Sequence, residues 1–245
     1  MNRYYFMGFI VVDGCNPNGD PTAENRPRID YEGHGEISSV SIKRKIRDAL
    51  CFEGEDIFVR DDITADGFES QRQRAGLITA KTVDEFKSKA TQKWIDTRLF
   101  GQLFQLPSKI KSVSGDVASI GIRGPATISQ ARSIEPIMID TQTVTMAENA
   151  IEPASGRVKG PVTFGPKYMV WRSAYRFFGG ISPQLATLTG ATDKDAEKLK
   201  RAILSMYDYG ASAARPDGSI CLQNGLIILS LSRPRQSKTQ KWRNT

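Results

Sequence analysis

The run RYYFMGFIVV, Arg3 to Val12, is almost wholly apolar and rich in aromatic and β-branched side chains, which predicts a buried strand. NPNGDPTAENRPRID follows, Asn16 to Asp30, dominated by Asn, Pro, Gly, Asp and Arg. That loop is too long for a hairpin turn, and loops of such length without secondary structure are usually either functional or disordered. Apolar periodicity resumes in ISSVSIKRKIRDAL, where Ile42, Ile46, Ala49 and Leu50 recur at helical spacing behind a Ser38 or Ser39 cap. Residues 53–80 show no clear period. TVDEFKSKATQKWIDTRLFG predicts a second helix, capped by Thr82 and closed by Gly101. VASIGIRGPATISQARSIEPIMI reads as extended chain broken at Gly124-Pro125, and residues 140–162 as a polar protruding arm. TFGPKYMVWRSAYRFFGGIS is strand or short helix. TDKDAEKLKRAILSMYDYG is the clearest helix, with a Thr192/Asp195 capping box, an Ala196, Leu199, Ile203, Met206 stripe and Gly210 at its end. NGLIILSLS predicts a last buried strand. The order suggests an α+β fold, a single domain over 1–245 with a ferredoxin-like core and insertions.

Composition narrows the function classes. No apolar run is long enough to span a bilayer, and the N-terminus leads into Asp13 without a small-residue cleavage site, so the expected location is the cytoplasm and no membrane partner is expected. Cys15, Cys51 and Cys221 are odd in number and widely spaced, so neither a disulfide framework nor a zinc site is indicated. His34 is the only histidine, which removes histidine triads and histidine-rich metal sites. No cofactor is expected. The net charge is +7, but the tail RPRQSKTQKWRNT holds five basic residues and no acid, leaving the rest near +2. The whole-chain charge is therefore weak evidence for a polyanionic partner, and local placement matters more.

On the first helix, with Lys43 as zero, Arg47 lies at about 40° and Arg44 at about 100°, while Lys45 points elsewhere. Lys43, Arg44 and Arg47 form a basic stripe bordering the buried face. Such a stripe suits phosphates, because its stems are fixed by the packed helix. It also suits a merely solvated charged face. The preceding loop adds Asn16, Asn18, Arg26 and Arg28, residues that would serve a nucleic-acid strand or an Asx- and Pro-rich surface turn.

Together, NPNGDP…NRPRID…GHGEISSVSIKRKIR resembles the start of the CRISPR-associated backbone subunits of Cascade, the type I surveillance complex, of the Csd/Csh kind (Cas-seven family, RAMP superfamily), closest to type I-C. DTRLFG (96–101), IRGPATISQARSI (122–134), TLTGATDKDAEKLKRAILSMYDYGASAAR (187–215) and NGLIILS extend the similarity over nearly the full length. The resemblance implies a ferredoxin-like (RRM-like) palm, a helical finger near residues 50–95 and a β-hairpin thumb near 135–162, with Val144, Met146 and Val158 near its tip. It implies that copies of the chain coat one CRISPR RNA in a helical homo-oligomer, with other Cascade subunits and target DNA as partners. Carried onto this sequence, RNA contacts would come from Asn16, Asn18, Arg26, Arg28, Ser41, Lys43, Arg44 and Arg47. Arg123, Gln130 and Arg132, around GPATIS, would serve the guide or displaced DNA, or are ordinary strand-edge polarity. No catalytic residue and no metal ligand is implied.

The K/R-G-F/Y-G/A-F motif is absent and GLIILSLS has no aromatics, so base stacking on a sheet is not expected to dominate. Backbone tracking is what guide-dependent targeting requires. Two rival readings share these residues. One is a metal-dependent target-RNA endoribonuclease of the type III kind, with Asp30 or Asp20 as the working carboxylate. The other is a monomeric RNA-binding module.

Overall fold

Burial along β1 (Arg3–Val12) alternates: Phe6, Gly8, Ile10 and Val12 are buried while Tyr5 is 45% exposed. The strand expected to be buried on both sides is buried on one, as antiparallel sheets permit. The computed structural model describes residues 1–60, 67–68, 70–105, 119–145 and 164–231.

After β1 come β2 (Gly19–Asp20), a 3₁₀ turn at Pro21–Ala23, β3 (Arg26–Pro27), β4 (His34–Ile37) and α1 (Ser39–Phe52). Then follow α2 (Gln71–Ala75), α3 (Val83–Lys93), α4 (Ile95–Phe100), β5 (Gly101–Gln105), β6 (Ser119–Arg123), β7 (Ala126–Ile128), β8 (Ala131–Pro136) and β9 (Ile139–Thr145). β10 (Phe164–Val170), β11 (Ser173–Ile181), α5 (Pro183–Thr189), α6 (Asp193–Leu204) and β12 (Ile220–Leu231) complete the described chain. The main sheet is antiparallel, in the order β12-β1-β11-β8-β4, with β7 also paired to β11.

Ile42, Ile46, Ala49 and Leu50 of α1 and Ala196, Leu199, Ala202 and Ile203 of α6 pack with Phe6, Ile10, Val12, Tyr175 and Phe177 in one core on one face of this sheet. Ser38 caps α1, its hydroxyl accepting from the Ser41 N–H. Both bonds of the Thr192/Asp195 box form at α6, and Asp195 also takes Arg98 at 2.8 Å, joining α6 to α4. Burial opposes ionisation of Asp195, but Arg98 and Thr192 outweigh it, and the carboxyl stays below its ordinary value.

Two expectations change, and one open alternative is resolved. The single helix over 82–101 is two, because Trp94 takes extended geometry (φ −111, ψ 117) and sends its ring into a second core with Phe58 and Phe104, at 4.7 and 5.9 Å between centroids. Phe86, Ile78 and Ile120 close that core. Of the strand or short helix expected near TFGPKYMVWRSAYRFFGGIS, the strand alternative holds, as β10 and β11, and the last helix ends at Leu204, with Met206 buried in the turn beyond it. β9 and β10 pair as a hairpin outside the main sheet, held at its base by the Cys15–Val170 bridge. The expected tip residues Met146 and Val158 and the basic tail lie outside the described residues. Among the described residues no helix is long and apolar enough to cross a membrane.

Candidate nucleic-acid interface

The Asn16–Asp30 loop is an ordered knot sewn to the start of α1. Oδ1 of Asn18 accepts the Ser38 N–H at 2.8 Å, and the carbonyl of Asn18 accepts the Arg28 N–H at 3.1 Å. Asn16 donates from Nδ2 to the Asn25 carbonyl at 2.7 Å and from its backbone N–H to Ala214 at 2.9 Å, while its buried Oδ1 has no hydrogen-bond partner among the described residues. Asp20 accepts from Thr22 and pairs with Arg28 at 3.4 Å. Arg26 is exposed and lies over the Tyr168 ring, 4.8 Å from its centre. Asn16, Asn18 and Arg28 thus shape the loop, and Arg26 is its outward cation.

The α1 stripe is placed as the helical wheel requires, but its charges are not equivalent. Lys43 and Arg47 both lie over Phe100 of α4, at 5.5 and 5.3 Å. Arg47 also donates Nε to Asp96 at 2.9 Å. Asp96 is 1% exposed and accepts the N–H groups of Phe58 and Val59. Arg44 pairs with Asp48 at 3.0 Å. Ser41 sits half-buried in the first turn. Burial, and then the charge of Arg47, lower the Lys43 pKa.

Lys45 points toward a cleft that the wheel could not reveal. A space of about 270 Å³ lies between α1, residues 57–60 and the Tyr209–Arg215 segment. Lys45, Arg47, Arg60 and Arg215 line it, with Asp48 as the acid and stacked Phe52 and Tyr209 rings at 4.6 Å. Gly210 has φ +85, and a Cβ there would come within 3.2 Å of Nζ of Lys45, so glycine lets the ammonium approach. Burial lowers the Lys45 pKa, Arg215 and Arg44 add to that, and Asp48 opposes it. Arg60 is matched by Asp56 at 3.3 Å. Arg215 has no carboxylate partner among the described residues, and its Nε is buried without a hydrogen bond.

Arg123 is exposed at the end of β6, opposite Gly101 and therefore beside Phe100. Gln130 is exposed between β7 and β8. Arg132 is on the other side of the sheet from α1. Its neighbours Ala131 and Ser133 are buried inward, and its guanidinium binds Asp30, at 2.6 Å, and Glu32. The predicted residues therefore do not share one surface. Asp30 also accepts from Glu32 and His34 N–H groups; these bonds and Arg132 outweigh its burial and lower its pKa. His34, at the start of β4, bonds through Nδ1 to the Ser133 carbonyl on β8. Among the described residues no three His, Cys, Asp or Glu side chains gather as for a metal ion.

Sequence reasoning did not single out Lys45, Arg60 or Arg215 as members of one site. The signal for Lys45 was its place on the wheel, but only the fold of 209–215 over α1 makes that place a cleft.

The family model described as CRISPR-associated protein Cas7 matches residues 2–241. The chain belongs to the Cas7 family. A Cas7 protein of Haloferax volcanii is 43% identical over 61 residues, 24% of this chain but 18% of that relative's length. Among solved structures, a chain of a CRISPR RNA-guided surveillance complex in a pre-nicking state aligns with TM-score 0.51 and 14% identity, covering 88% of this chain and 77% of that one. It shares the fold of this Cas7-family chain. A chain of another CRISPR RNA-guided surveillance complex aligns at TM-score 0.46 and 16% identity, covering 83% of this chain and 60% of that one.

Proposed function

We propose that this chain is a non-catalytic CRISPR RNA-binding backbone subunit of a type I Cascade complex. Copies of it polymerise along the guide in the cytoplasm and leave the bases free to pair with target DNA. The observation that carries this reading is the cleft over α1, where Lys45 and Arg215 present positive charge without a full complement of acids. Lys43 on the same helix, Arg26 on the preceding loop and Arg123 at the end of β6 add further positive groups outside the cleft. Stems fixed by a packed helix hold phosphates in register without reading sequence.

In this reading the sheet with α1 and α6 is a ferredoxin-like, RRM-like palm: its strand–helix–strand–strand–helix–strand core and its sheet order support that description. The second core around Trp94 is the body of the finger, and the β9–β10 hairpin is the base of the thumb. The use of Asp30 as an acceptor for Arg132 and two N–H groups favours a structural role for it over a metal-binding one.

The test is purification of the full chain with its bound nucleic acid, followed by sequencing and mass measurement on RNAs of increasing length. Recovery of repeat-spacer RNA and a stoichiometry that rises with RNA length support the proposal. A fixed single copy per RNA, or cuts at regular spacing in complementary RNA with Mg²⁺ that vanish in Asp30→Ala, would overturn it.

A further inference from the structure

The core face of the sheet is not covered as far as its β12 edge. Between α6 and the last residues of β12 lies an open groove of about 230 Å³, separate from the cleft over α1. Phe6, Leu199 and Ile203 form its floor and are at most 7% exposed, while Leu226 and Ile228 of β12 form its outer wall and are only half-buried. Tyr4 and Ser230, register partners on β1 and β12, also line it. The charged side chains on its rim are Glu197 and Lys200, which pair with each other at 3.8 Å, so the rim is close to neutral. An apolar groove with a neutral rim suits an uncharged ring or aliphatic side chain, not a phosphate.

The edge of β12 is unguarded as well. Among the described residues β1 is its only partner strand, so its other side is an edge of the sheet. Its sequence, ICLQNGLIILSL, holds no charge and no proline. A long apolar edge invites pairing with another chain, and proteins guard such edges with lysine, proline or a covering segment. The residues that follow in sequence have that chemistry. SRPRQSKTQKWRNT, Ser232 to Thr245, contains Pro234, five cations and one large apolar side chain, Trp242. These residues lie outside the described ones, and they begin two positions after Ser230 of the groove. Pro234 has no N–H for a ladder, which disfavours a straight continuation of β12. Trp242 stands eleven residues past Leu231, a reach of up to about 36–40 Å, and the entropy cost of closing such a loop grows only slowly with length.

We propose that residues 232–245 fold back along the edge of β12 and dock in this groove, with the Trp242 ring against Ile203, Leu226 and Ile228. The ring completes the cover of the core face. Arg233, Arg235, Lys238, Lys241 and Arg243 are then held beside the edge, where their charge repels strand addition by another chain. The occupant is this chain's own segment because it starts at the groove and brings an aromatic ring, a proline and cations together. The contact is apolar, so salt does not weaken it. It is independent of the cleft over α1, and it gives the basic tail a structural role in place of a nucleic-acid one.

The test is acrylamide quenching of tryptophan emission in the full chain, freed of nucleic acid by nuclease and a high-salt wash. Trp94 is buried and Trp171 is 49% exposed, and the emission lost in Trp242→Phe isolates the Trp242 signal. That signal should be quenched several-fold less than N-acetyltryptophanamide, equally at low and high salt and at every protein concentration. Ser230→Phe, at an exposed position on the groove, should crowd the ring out and raise its quenching to the free value. Continued protection of Trp94 in that variant shows that the body is folded. Free quenching of Trp242 in the otherwise unaltered chain overturns the proposal. A ring that stays protected in Ser230→Phe sits elsewhere and overturns it too. So does protection that rises together with protein concentration and particle mass, since a second copy then supplies the ring. Protection that needs added single-stranded RNA and vanishes at high salt gives the tail to nucleic acid, and likewise overturns the proposal.

Discussion

Nε of Arg47 donates to Oδ2 of Asp96 across 2.9 Å, and Asp96 accepts the N–H groups of Phe58 and Val59 behind it. The helix that carries the cleft cations is thereby bolted to the second core. Asp96→Ala leaves a half-buried guanidinium and two backbone donors unsatisfied. Urea unfolding should show a loss of about 3–5 kcal/mol. Asp96→Asn, which keeps an acceptor, should lose less.

Lys45 carries charge in a confined place, and its depressed pKa states the cost. The folded state binds its proton less readily than the unfolded state, so this group disfavours folding while protonated, and the penalty fades as pH rises through the lowered folded pKa. Lys45→Met should therefore raise the denaturant midpoint at neutral pH while weakening single-stranded RNA. A stabilised variant with full affinity would place the RNA elsewhere.

Asp195 behaves with the opposite sign. Its folded pKa is lowered, so the stability it contributes is complete above the unfolded carboxylate value of about 4 and is lost as pH falls through the folded one. The stability gap between wild type and Asp195→Asn should be constant near neutrality and close on acidification, as read by urea midpoints across that range.

The join between loop and helix is small but decisive for the site. Ser38→Ala removes the α1 cap and should cost about 1 kcal/mol. Asn18→Ala leaves the Ser38 N–H without its acceptor. Both should lower RNA affinity modestly through the loop's position, with no change in the number of phosphates engaged.

These residues also mark what could be read from sequence. The buried face of α1, a serine cap at 38 or 39 and the Thr192/Asp195 box are local in sequence, and periodicity and capping chemistry expose them directly. The break at Trp94 was hidden because helical propensity is weak against the burial of a large ring with Phe58 and Phe104. The one-sided burial of β1 was hidden because Tyr5 and Phe9 are as apolar as the residues that face the core. Lys45 and Arg215 are brought together over a separation of 170 residues, and Arg132 is carried to the far side of the sheet by strand pairing, neither of which a helical wheel contains.

The central claim is that cations over α1 hold the sugar-phosphate strand irrespective of its bases. The direct measurement is the affinity of full-length chain for single-stranded RNA as a function of salt, in wild type and in Lys45→Ala/Arg215→Ala. The account predicts weaker binding for every sequence alike, with the log–log slope flattened by about 0.7 for each lost phosphate contact. An unchanged slope, or a loss that depends on base sequence, would contradict it.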